Sequence, residues 1–271
     1  MNKTTPHQRS VIFVDVDNTI ISGPFESAVF PIILREMAAK SGLAIDKIRR
    51  LIVKENIDRQ QDPTVPAIVA MDWDDIVEVV ASRLGFRISE KVIDIVRTHA
   101  RPPYSHVLDD AKSILKQIAN PHRVLVAVTK GLAKYQLPIL DALELTNLFT
   151  DILTPDKNSA LKKELAFYGK WPHLTEFQIS VGDHYEDDVI APRAFGFKTI
   201  WIPDREEGLN EQMQALSPFE RPPNYSYQDN LQIRPDAIIL SLQELPKVVE
   251  QIEAEYFNRG QSTFHIDSRK A

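Results

Sequence analysis

The sequence has no cysteine among its 271 residues and only nine glycines. Without cysteine there is no disulfide framework, no thiolate-ligated zinc or iron–sulfur centre and no thiolate nucleophile. Nine glycines are under half the share of roughly 7% usual in soluble proteins, and neither GxGxxG nor GxxxxGK occurs. Phosphate cradles built on glycine-rich loops are therefore disfavoured. Basic residues are not in excess either. With 32 Lys+Arg against 38 Asp+Glu the formal net charge is −6, a poor match to the phosphate backbone of nucleic acids. Long apolar runs are missing as well. The first ten residues are polar, and the first apolar run, Val11 to Val14, stops at Asp15. Nothing approaches the ~18 apolar residues of a membrane span, and no signal-peptide core is visible. The expectation is a soluble cytoplasmic protein with neither nucleic acid nor membrane as partner.

What is present is ordinary globular material, 43% hydrophobic and 26% charged, in a chain long enough for a sizeable core. The β-branched run VIFV, residues 11–14, reads as a buried strand, and similar runs recur at 123–128, 177–181, 198–202 and 236–240. Helical patterns lie at 108–119, 133–145, 158–168, 187–195 and 242–255. Strand alternating with helix predicts an α/β fold, an open parallel sheet covered on both faces. Residues 21–103 interrupt the alternation with helical segments at 45–59, 71–84 and 90–99, Ser89 standing where it caps the last. The expected organisation is an α/β core of residues 1–20 and 104–271, with an all-helical insertion over 21–103. Residues 204–235 read as a long loop and 257–271 as a loose tail.

Ligands of an open parallel sheet bind beyond the C-terminal ends of its strands, so the residues following each strand matter most. After VIFV comes Asp15-Val16-Asp17-Asn18-Thr19. After LVAV comes Thr129-Lys130-Gly131, and after ISV comes Gly182-Asp183, with Asp187 and Asp188 close behind. Carboxylates gathered this closely repel unless a cation or a shared proton intervenes. Oxygen-only ligation of this kind suits Mg²⁺.

In order and spacing, VIFVDVDNTI, VAVTKG and VGDHYEDDV resemble the signature motifs of the haloacid dehalogenase-like (HAD) hydrolases: DxDxT after a hydrophobic strand, a strand ending in Thr or Ser, and GDxxxxD. The resemblance covers residues 9–20 and 104–256. It implies a Rossmann-like sheet with a helical cap inserted after the first motif, which is where 21–103 falls. It also implies a Mg²⁺-dependent phosphomonoester hydrolase acting on a small phosphorylated metabolite, as a monomer or homodimer. Asp15 becomes the nucleophile, Asp17 the general acid–base, and Asp15, Asp17 and Asp183 the metal site. Thr129, Lys130 and a lysine between the second and third motifs contact the phosphoryl group. Lys157 fits that lysine best by spacing; Lys162 and Lys163 are its rivals, set inside the helix expected over 158–168. Thr19 ties down the first loop or caps a helix, and Asp188, with Asp187 as competitor, supports the metal or the lysine. Branches of the family that cleave carbon–halogen or carbon–phosphorus bonds lack an acid at the position of Asp17. Its presence favours ester hydrolysis, with phosphotransfer, a sugar-phosphate mutase or a non-catalytic phosphate- or metal-sensing scaffold as alternatives. Trp73, Phe25 and Met71 have two readings, a pocket wall under the cap or cap packing, and their helical spacing favours packing. Arg49 and Arg50 read as a solvated helix face.

Overall fold

The computed structural model describes residues 9–203, 216–221 and 233–262. Six parallel strands form one sheet in the order β5-β4-β1-β6-β7-β8. They are β1 (Ser10–Asp15), β4 (Arg123–Val128), β5 (Asp151–Leu153), β6 (Phe177–Gly182), β7 (Lys198–Trp201) and β8 (Ala237–Ile238). A small antiparallel pair, β2 (Ile21–Ser22) with β3 (His106–Val107), stands at the two ends of the helical insertion.

The run VIFV becomes a central strand because both of its faces are apolar. Ile12 and Val14 join Leu125, Ala127, Ile179 and Val181 on one face. Val11 and Phe13 join Val124 and Val126 on the other. That pattern is expected of a parallel sheet covered on both sides. The first face is covered by α6 (Ala111–Ile118), α7 (Ala133–Ala142) and the helix Leu245–Ser262, through residues such as Leu115, Ile139 and Val249. The second is closed by Phe167, Tyr168, Trp171 and Phe197, with Tyr168 set edge-on to Phe13 at 4.8 Å between centroids.

The insertion contains α1 (Phe30–Ser41), α2 (Ile45–Gln61), α3 (Ala67–Ala70), α4 (Trp73–Arg83) and α5 (Val92–His99). Its apolar residues, Ile33, Ile48, Ile76 and Val80 among them, continue the core of the first sheet face without a break. The sequence pattern does not single out α1. Its Pro31 lies in the first turn, where a missing N–H costs nothing. Ser89 does not cap α5, because its N–H and hydroxyl engage Glu36 and Lys40 of the neighbouring helix.

Three expectations need correction. Residues 158–168 are not a helix. A short turn of helix α8 (Pro155–Asn158) ends at Ser159 with φ 51°, and a 3₁₀ turn follows only at Leu165–Tyr168. Strand β5 is too short for its pattern to register, yet it extends the sheet. The helix expected to end at Glu255 runs on to Ser262, so residues 257–262 are helix where a loose tail was expected. Residues 263–271 and most of the loop expected over 204–235 lie outside the described residues. Among the described residues, no helix is long and apolar enough to cross a membrane.

One polar knot fastens the helix Leu245–Ser262 to the start of the central strands. Arg123, buried at the first position of β4, pairs with Glu253, which also accepts from Ser10 Oγ at 2.5 Å. Arg123 Nη1 donates to the carbonyl of Ile118 at 2.7 Å. Replacing Glu253 with Ala strands a buried guanidinium, and is expected to lower unfolding free energy by about 3 kcal/mol in urea titration. A change below 1 kcal/mol would show that the knot does not hold the helix.

Candidate active site

Strands β4, β1 and β6 are neighbours, and their C-terminal ends bring the three motifs together. Asp15 pairs in register with Val128, so Thr129 stands one residue beyond it on the next strand; Asp183 follows Gly182 at the end of β6. Asp15, Asp183 and Asp188 each offer a carboxylate oxygen within 4.8 Å of the others. Thr19 Oγ1 donates to Asp15 Oδ2 at 2.9 Å and reaches Asp183 Oδ1 at 3.5 Å. Thr19 is thus the tie of the first loop and not a helix cap.

The cation of this cluster is Lys162. Its Nζ lies 2.5 Å from Asp15 Oδ1 and 2.7 Å from Asp188 Oδ1, with the side chain 1% exposed. Burial alone would depress an ammonium, but the charges of Asp15 and Asp188 hold Lys162 protonated well above the ordinary lysine range. Lys157, favoured by spacing, turns away to Asp151 and the carbonyl of Ile152, and its side chain is 46% exposed. Lys163 is exposed and reaches the backbone of Gln60. The reason lies in the missing helix. With the backbone broken after Asn158, residues 159–164 wind back over the strand ends and carry Lys162 inward.

Asp187 and Asp188 part company in the same way. The chain after β6 enters one wide turn of π type, Tyr185–Ile190, a geometry often found at functional sites. It aims Asp188 inward at Lys162, where it also accepts from the His184 N–H at 3.1 Å. Asp187 faces Lys130 and His184, each at 2.9 Å. Burial opposes ionisation of Asp187, but the His184 hydrogen bond and the Lys130 charge outweigh it and hold the carboxyl below its usual range. A Cβ on Gly182 would come within 2.2 Å of the Asp188 carboxyl, so only glycine leaves room for that acid.

Three carboxylates against one ammonium leave two formal negative charges in a buried space. Asp183 and Asp188 are both pushed up from the ordinary carboxylate range, first by burial and then by neighbouring charge, Asp15 included. That surplus and the all-oxygen donor set fit a hard divalent cation such as Mg²⁺. The side chain of Asp17 lies outside this set, whose third carboxylate is Asp188.

Asp17 instead faces a cavity of about 330 Å³ between the strand ends and the insertion. Burial, and then the Asp15 charge, raise its carboxyl to about 6. The Gln136 side chain, from α7, donates to Asp17 Oδ2 at 2.7 Å. Gln136 was not singled out by the sequence. Its signal is Gly131, whose missing side chain leaves room for the Gln136 amide, 2.5 Å from where a Cβ would stand. Thr129 is buried, and its hydroxyl oxygen accepts from the Gly131 N–H at 3.0 Å.

Comparison with solved structures finds the same fold in other proteins. A HAD phosphatase from Thermococcus onnurineus superposes with a TM-score of 0.64 at 20% identity, covering 89% of this chain and 97% of its own. The chain has the haloacid dehalogenase-like fold. The putative HAD-hydrolase YfnB from Bacillus subtilis, solved bound to magnesium, matches with a TM-score of 0.57 at 16% identity, over 89% and 98% of the two chains. The L-2-haloacid dehalogenase from Xanthobacter autotrophicus, solved with chloropropionic acid covalently bound, matches at 0.56 and 13% identity over the same shares. The HAD fold therefore spans nearly the whole chain, insertion included. No protein-family model matches the sequence, and no curated protein does.

The two lysines are separable by stability. In metal-free buffer, Lys162→Met leaves Asp15 and Asp188 without their counter-charge and is expected to cost about 3–5 kcal/mol. Lys157→Met removes a half-exposed pair and should cost under about 1 kcal/mol. Urea midpoints that fall equally for both would overturn the assignment of Lys162.

Proposed function

We propose that the chain is a Mg²⁺-dependent phosphomonoester hydrolase that works through an aspartyl-phosphate on Asp15. The observation that carries this reading is the division of labour between Asp15 and Asp17. Asp15 is locked by Lys162 on one oxygen and Thr19 on the other, so its carboxyl group is fixed in place for attack. Asp17, two residues on, faces the cavity with a carboxyl suited to hold and release a proton near neutral pH. A haloacid leaving group needs no such proton. The alkoxide of a phosphate ester does.

An Asp15 oxygen attacks phosphorus as the bond to the leaving oxygen breaks, and the proton of Asp17 goes to that oxygen. Water then attacks the same phosphorus, gives its proton back to Asp17 and frees Asp15 and inorganic phosphate. Lys162 offsets the charge of Asp15 and of the phosphoryl group together. The Thr129 hydroxyl proton is available to a phosphoryl oxygen, since its oxygen already accepts from Gly131. Gln136 acts through Asp17, fixing the acid toward the cavity. Asp15, Asp183 and Asp188 would hold Mg²⁺, which supplies the charge that lets a phosphate dianion approach a carboxylate. The insertion serves as the cap over this site.

Asp15→Asn is expected to abolish phosphate release from p-nitrophenyl phosphate while leaving the circular-dichroism spectrum unchanged; full activity in that variant excludes the proposed nucleophile. Asp17→Asn should slow alkyl esters by about 10²–10⁴, and p-nitrophenyl phosphate less, because its phenolate leaves without help.

The metal has a readout of its own. Adding Mg²⁺ to EDTA-treated protein should raise the thermal midpoint, and Asp183→Asn should erase the rise. A midpoint insensitive to Mg²⁺ in the wild type would count against the carboxylate cluster as its site.

A further inference from the structure

The cavity that faces Asp17 has a chemistry of its own, which bears on the leaving group. Its insertion side carries three aromatic rings, Phe25, Phe30 and Trp73. They pack on one another at angles, Phe30 edge-on to Trp73 at 5.4 Å and Phe25 tilted against both at 5.9 and 6.3 Å. None of the three is fully buried. A concave wall of half-covered rings leaves apolar surface that a ligand ring removes from water.

The charges are just as selective. Among the described residues lining the cavity, Lys130 is the one cation, and it is paired with Asp187 at 2.9 Å. The acids on the lining are Asp17 and Glu26. Arg49, beside the wall, is taken up by Glu26 at 3.1 Å and lies over the Phe30 ring. A second phosphate or a carboxylate on the leaving group would therefore meet acids and no unpaired cation. The remaining polar side chains are uncharged: Asn18, Ser22, Gln136 and two amides of α2, Asn56 and Gln60. Gln60 Nε2 donates to Asn56 Oδ1 at 2.7 Å, and Asn56 Nδ2 to the carbonyl of Ala70 at 2.9 Å.

The wall is also fixed in place. Trp73 stands between Asp72 and Asp74, and both acids are gripped from the core helix α7. Lys134 Nζ reaches Asp72 Oδ1 at 2.7 Å and Asp74 Oδ2 at 3.0 Å. The hydroxyl of Tyr135 lies 2.8 and 3.0 Å from the same two oxygens and accepts from the Asp74 N–H at 2.7 Å. Trp73 thus belongs to a preformed surface, which lowers the entropy lost when a ring settles on it.

We propose that this cavity takes an uncharged aromatic leaving group. The substrate is a monophosphate ester whose alcohol carries an aromatic ring and no second anionic group, and Trp73 is the residue that selects it. The proposal rests on the hydrolase reading above, and its test separates the two. For wild-type protein, kcat/KM is measured for benzyl phosphate, glycerol 3-phosphate and phosphoglycolate. Benzyl phosphate is expected to lead each of the others by about tenfold or more. In Trp73→Ala that lead should collapse through a rise in the KM of benzyl phosphate, and Trp73→Phe should keep most of it. Equal kcat/KM values in the wild type, or a lead that survives Trp73→Ala in folded protein, overturn the proposal.

Binding judges the cavity whether or not turnover occurs. Calorimetric titration of wild-type protein with benzylphosphonate and methylphosphonate, neither an ester, should show the benzyl compound binding about tenfold tighter, with the gap lost in Trp73→Ala. If no ester is hydrolysed yet this gap is found, the hydrolase reading falls and the aromatic site stands. If esters are hydrolysed and no gap is found, the aromatic site falls alone.

Discussion

Everything at the strand ends depends on one buried ammonium. Lys162 lies between Asp15 and Asp188 with almost no solvent contact, and a charge buried there is tolerable only because two carboxyl groups lie within ion-pair distance of it. The arrangement sets requirements well beyond the ion pairs. It needs Asp188 aimed inward, hence the wide turn after β6 and a glycine at position 182. It needs residues 159–164 drawn across the sheet, hence the break after Asn158. It leaves Asp183 and its neighbours with more negative charge than one lysine can offset, and so shapes the site for a cation.

The same logic explains why a net charge of −6 sits comfortably with phosphate chemistry. The acids at the site are not a repulsive surface. They form close ion pairs, Lys162 with Asp15 and Asp188 and Lys130 with Asp187, and the negative charge left over by those pairs is what a divalent cation would take up. Scarce glycine fits too. The proposed phosphoryl site is built from side chains at strand ends, and Gly131 and Gly182 are needed where a neighbouring side chain occupies the space of a Cβ.

Much of this was legible in the sequence, and the parts that were not have a common cause. VIFV and LVAV are continuous apolar runs and ISV is broken only by Ser180, so the strands and the polar residues that end them could be read off directly. Their neighbourhood followed from the rule that ligands gather at strand ends. Lys162 is hidden in the sequence because 158–168 has the spacing of a solvated helix; a local pattern there yields to the demand of two buried carboxylates elsewhere in the chain. Trp73 reads as cap packing in the sequence for a similar reason. Helical spacing reports that a residue is partly covered, but not whether protein or a cavity covers the remainder. Gln136 carries no motif at all, and only the space left by Gly131 betrays it.

Helix α7 offers a last consequence. Lys134, Tyr135 and Gln136 are consecutive, yet they serve two different bodies: the first two grip Asp72 and Asp74 of the insertion, and the third holds Asp17. Each residue turns the helix by about 100°, so both duties are set by a single phase of rotation. An inserted or deleted residue near the start of α7 would swing all three side chains off their partners at once. The aromatic wall and Asp17, the proposed proton donor, are in that sense keyed to one shaft, and the chain cannot re-time one without the other.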